Sequence, residues 1–134
     1  MPSRTDIASL PLPQFRHLGL LCCRRLEHLT TDKRFAKALR KLELSLGPPM
    51  DERMCRDAYN TINAAYLDIR SGDPDMTVEA AVACTLVCAC TSGPNVNLLG
   101  NFERALSKGE SLAVDQIRAI EQEFLMQIGS SDQP

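Results

Sequence analysis

Six cysteines and two histidines are the residues of this chain best suited to bond-making or metal chemistry. Cys84 and Cys88 stand four apart and share one face of any helix that carries them. A pair at that spacing supplies half of a thiolate metal site, and Cys22, Cys23, Cys55 or a histidine would have to complete it. The surroundings argue against zinc. The stretch Thr77 to Thr91 (TVEAAVACTLVCACT) carries one charge, Glu79, and offers few donors to hold a thiolate. No Cys-x-x-Cys redox motif occurs. The expectation is of reduced thiols acting as small core hydrophobes, with no cofactor and no metal. If a metal were held, Cys84 and Cys88 would be its first ligands.

His17 and His28 lie eleven residues apart. On a helix that is about 16 Å of rise, too far for one catalytic pair. The chain has no His-Glu-x-x-His, no Gly-x-Ser-x-Gly and no glycine-rich phosphate loop. Asp68 to Glu79 has the length of a calcium loop. Arg70, however, stands where a second acidic ligand belongs, and Asp73 where the turn needs glycine. Nothing here converges on catalysis, so the chain reads as non-catalytic.

Charge is unevenly placed. Arg16 to Lys41 holds eight Lys/Arg against two acids, whereas Leu42 onward holds six against fourteen. The total is −2. Lys33, Lys37, Arg40 and Lys41 fall at i, i+4, i+7 and i+8, one face of a helix. Such a face suits a phosphate backbone, an anionic membrane or an acidic protein. Nucleic acid ranks below a protein partner, because the face has no interleaved aromatics and sits in an acidic chain. The acidic remainder, conversely, would suit a basic partner. Asn95, Asn97 and Asn101 make an amide-rich patch in and after a Gly/Pro loop, a second candidate contact site. Arg56, Tyr59, Asn60 and Asn63 form a further polar edge.

The elements that must hold these residues are helical throughout. Apolar residues recur three and four apart, and no alternating run of β-branched residues competes. Helices are predicted over 14–29, 33–46, 52–70, 77–91, 96–107 and 111–128. Asp32, Asp51, Asp75 or Thr77, and Ser111 are placed to cap them. The stretch 77–91 is apolar on every side, yet shorter than the roughly 20 residues a membrane span needs. It therefore predicts a helix enclosed by the others. The expected fold is an all-α, single-domain bundle of five to six helices around that central helix. A flexible N-terminal arm (1–12) would precede the helical domain (13–128), and a disordered tail (129–134) would follow it.

The first residues lack the basic start and apolar run of a secretory signal, so the cytoplasm is the expected location. Leu20, Leu21 and Cys23 lie off the main stripe of the first helix, and a homodimer burying them is expected. The functional expectation is a small non-catalytic protein acting on a partner protein, as adaptor, regulator or neutraliser. Anion or nucleic-acid binding through 33–46, and a thiol or metal site converging only in three dimensions, are the alternatives.

Overall fold

The computed structural model describes residues 4–70 and 77–131, with side chains over 7–70 and 77–128. Six α-helices pack into one bundle: α1 (Leu12–Leu26), α2 (Lys33–Ser45), α3 (Glu52–Arg70), α4 (Val78–Ala89), α5 (Leu98–Glu110) and α6 (Val114–Ser131). Short 3₁₀ segments flank α1 at Arg4–Ser9 and Glu27–Leu29. No strand occurs among the described residues.

Local chemistry sets the helix starts. The Asp32 carboxylate accepts from the Arg34 amide at 2.9 Å, Asp51 from the Met54 amide at 3.0 Å, and Thr77 Oγ1 from the Ala80 amide at 3.1 Å. Each side chain satisfies an amide that the first turn leaves without a partner. Pro13 sits inside the first turn of α1 rather than before it, where its missing N–H costs nothing. The link from α2 to α3 turns at Gly47, whose φ of 64° is the left-handed conformation that favours glycine.

The central helix is α4, which packs against α5, α3 and α1 and touches α2. Ala80–Ala83, Thr85, Leu86, Cys88 and Ala89 are all buried, while Val78, Cys84 and Val87 are half-buried. Thr85 satisfies its hydroxyl by donating to the Ala81 carbonyl one turn back, at 2.8 Å. The many small residues let neighbours come close. A Cβ added at Gly19 of α1 would stand 2.4 Å from the Ala89 Cβ.

Several boundaries differ from those expected. Within the expected arm, Arg4–Ser9 forms a 3₁₀ segment and Ile7 is buried in the core. Lys108 and Gly109, left between the predicted helices 96–107 and 111–128, lie in the last turn of α5. Gly109 there faces Leu29: an added Cβ would meet the leucine's terminal methyls at 2.8 Å, and that side chain would have to turn aside. Ser111 closes α5 at φ 54° instead of opening α6, whose first turn is tied by the Ala113 amide donating to Gln116 Oε1. The last helix runs on to Ser131, into the segment expected to be a tail. Half of the calcium-loop segment and Asp75 as a cap lie outside the described residues.

Of the α1 residues expected at a dimer face, Leu20 and Cys23 are buried within the chain, where α4, α6, α2 and α5 pack on α1, and Leu21 is half-buried.

Candidate functional site

A cleft of about 450 Å³ opens between the first half of α1, the first half of α3 and the chain leaving α4. Arg16 enters it from α1. Glu52, Cys55, Arg56, Tyr59 and Asn60 come from α3, and Cys90, Thr91 and Ser92 from the end of α4 and its loop. One turn-to-turn stripe of α3 thus faces residues more than thirty positions away.

Arg16 is the unusual member. It is 1% exposed, and its guanidinium grips Glu52 in a two-pronged pair at 3.0 and 2.9 Å. Burial acts to lower its pKa, but the Glu52 hydrogen bonds and the nearby thiols hold it above the ordinary arginine value. The same hydrogen bonds hold Glu52 below the usual carboxylate range. Arg16 Nε has no hydrogen-bond partner, the one such buried side-chain polar atom among the described residues.

Beside that pair, two thiols from different elements meet. Cys55 Sγ lies 3.6 Å from the Cys90 carbonyl oxygen, to which its S–H donates. The Cys55 pKa is lowered to about 7: the hydrogen bond with the Cys90 side chain favours the thiolate, burial opposes it, and the Arg16 charge assists. Cys90 is pushed the other way by the same contact and by burial.

A second thiol pair is the predicted Cys84–Cys88. Cys84 is lowered to about 7 by its hydrogen bond with Cys88, against burial, with help from Tyr66, Arg104 and Arg70. Cys88 is raised by Cys84 and by burial. Among the described residues, no group of three or more His, Cys, Asp or Glu side chains is placed to hold a metal ion. Cys22 and Cys23 are wholly buried, and burial pushes both thiols up. All six cysteines are free thiols.

The predicted basic face is intact. Lys33, Lys37 and Arg40 are exposed and Lys41 is half-buried, and none makes an ion pair among the described residues. Leu44, 53% exposed, falls on the same face one turn beyond Arg40. Other cations are engaged: Arg24 pairs with Glu43, Arg25 with Glu110, Arg34 with Asp32 and Asp68, and Arg118 with Glu103 and Glu121. Much of the acidic half is therefore neutralised inside the molecule. Glu121 is itself buried, a carboxylate the apolar stripe of α6 gave no sign of.

The amide patch serves the backbone. Asn95 Oδ1 accepts from the Asn97 amide at 2.9 Å. Asn101 is buried, its Nδ2 donating to the Asn97 carbonyl at 3.0 Å and to Cys88 Sγ at 3.5 Å. Only Asn97 is exposed. The histidines stay apart from the cleft. His17 is exposed, and His28 Nε2 lies 2.7 Å from the Glu110 carboxylate that Arg25 also grips.

The chain matches no family model, no curated protein and no solved structure. No helix among the described residues is long and apolar enough to cross a membrane.

Proposed function

We propose that this chain is a non-catalytic interaction protein that docks an acidic segment of a partner protein on the outer face of α2. The observation that carries the reading is a contrast in pairing. Arg24 and Arg34 beside this face are tied to carboxylates, while Lys33, Lys37, Arg40 and Lys41 stay free of ion pairs among the described residues. Unpaired cations on one face steer an acidic partner and fix its register.

Leu44 decides between classes of partner. An exposed leucine amid cations suits an acidic segment that also carries an apolar side chain. A phosphate backbone would leave it uncovered, and the net charge of −2 disfavours a polyanion. A basic partner fits less well than the sequence suggested, because Glu43, Glu52, Asp68, Glu103, Glu110 and Glu121 are already paired. Free thiols suit a reducing compartment such as the cytoplasm.

The test is binding of a labelled peptide alternating glutamate and leucine, read by fluorescence anisotropy, with duplex DNA as the second ligand. Lys37→Glu combined with Arg40→Glu is expected to weaken peptide binding about tenfold or more, equivalent to about 1.4 kcal/mol. Rising salt should weaken it too. Tighter binding of DNA than of peptide, or equal binding by the charge-reversed protein, would overturn the reading.

A further inference from the structure

Of the two thiol pairs, only one joins different elements. Cys84 and Cys88 lie one turn apart on α4, so their Cβ vectors run side by side. A disulfide needs converging Cβ vectors, so linking them would distort the helix. Cys55 and Cys90 come from different elements. Cys55 is in the first turn of α3, and Cys90 is the C-cap of α4, beyond its last helical residue. Cys55 Sγ lies 3.6 Å from the Cys90 carbonyl oxygen, and both residues line the cleft.

We propose that Cys55 and Cys90 form an oxidation site for hydrogen peroxide, with Cys55 as the attacking thiol and Cys90 as the thiol that resolves it. The size of the oxidant follows from access. Cys55 is 1% exposed and Cys90 4%, so the reagent must be small enough to pass along the cleft wall to the sulfur. Cys55 takes the attacking role: the hydrogen bond with Cys90 holds its thiol low and raises that of Cys90, and the Arg16 guanidinium favours the thiolate at both. Arg16 also brings a donor, Nε, that no group of the protein occupies.

The chemistry balances without a further reactant. The Cys55 thiolate attacks one peroxide oxygen, an S–O bond forms and the O–O bond breaks. The departing hydroxide takes a proton and leaves as water. The Cys90 thiol then attacks the sulfenic sulfur, an S–S bond forms, and the S–O bond breaks to release a second water with the Cys90 proton. Two thiols lose two electrons, and peroxide is reduced to two waters. The product ties the first turn of α3 to the loop leaving α4.

The experiment treats the reduced full chain with stoichiometric hydrogen peroxide, alkylates the remaining thiols and maps the peptides by mass spectrometry. Loss of two hydrogens in a crosslink between the Cys55 and Cys90 peptides is expected. Cys55 should be consumed at least roughly tenfold faster than Cys22 and Cys23. The rate should rise with pH through a midpoint near 7. In Cys90→Ser, a sulfenic acid should persist on Cys55 and be trapped by dimedone, whereas Cys84→Ser should react as the parent does. Oxidation falling first on Cys84, or Cys55 surviving intact in the folded protein, overturns the proposal. The mapping on the unsubstituted chain decides the matter even if a cysteine variant fails to fold. It is independent of the α2 face, so either reading can fail alone.

Discussion

Arg16 is buried while its partner Glu52 is not: the guanidinium is 1% exposed and the carboxylate side chain 57% exposed, yet two hydrogen bonds of 3.0 and 2.9 Å join them. A buried cation cannot leave its carboxylate without losing most of its compensation, whereas the carboxylate can turn to water. Glu52→Ala should therefore destabilise the protein by about 1–3 kcal/mol, the cost of a buried polar group left unpaired. Adding Arg16→Met to that variant should restore part of the loss, because an apolar side chain of similar length needs no partner. Urea denaturation reads both. Equal stability of Glu52→Ala and parent would show that the pair holds nothing together.

The paired acids predict an acid limb. Glu52, Glu110 and Asp32 are each held below the ordinary carboxylate value, by Arg16, Arg25 and Arg34 respectively. The native state therefore binds these protons more weakly than the unfolded chain does. The resulting stability is fully present above the ordinary values of 4.5 and 3.8 and is lost as pH falls through the lowered ones. Denaturation midpoints should hold level from neutral pH to about pH 5, then fall. Glu110→Gln should make that fall shallower. A midpoint that stays level below pH 3.8 would contradict the assignment.

Close approach of α1 to α4 predicts a compensating pair. Gly19→Ala places a methyl 2.4 Å from the Ala89 Cβ, so one helix must shift. The expected loss is about 1–3 kcal/mol, typical of overpacking in a filled core. Ala89→Gly in the same chain should return part of it despite its own helix-propensity cost of about 1 kcal/mol. Additive losses in the double variant would mean that the two positions do not touch.

Most of the helices were legible because their local signals agreed with the final packing. Asp32, Asp51 and Thr77 cap where expected, and the apolar stretch around Leu86 is the enclosed helix. Boundaries slipped where a glycine sat inside a helix rather than in a turn, as at Gly109. The cleft was half legible. Arg56, Tyr59 and Asn60 were visible as a polar edge, but their meeting with Arg16, Cys90, Thr91 and Ser92 is tertiary. Arg16 was hidden because an arginine on an amphipathic helix reads as surface. Cys55 and Cys90 stand 35 positions apart, and no spacing rule joins them. Asn101 misled for a related reason: its amide turns inward to Cys88 and the Asn97 carbonyl, which composition cannot distinguish from a contact surface.

The most direct measurement for the α2 face is a two-dimensional ¹H–¹⁵N correlation titration of the labelled protein with the glutamate–leucine peptide. Shift changes concentrated on Lys33–Ser45, centred on Lys37, Arg40 and Leu44 and weakened by salt, are the predicted result. Shift changes spread over α6 and the α5 surface with α2 unmoved, or a spectrum indifferent to the peptide, would contradict it.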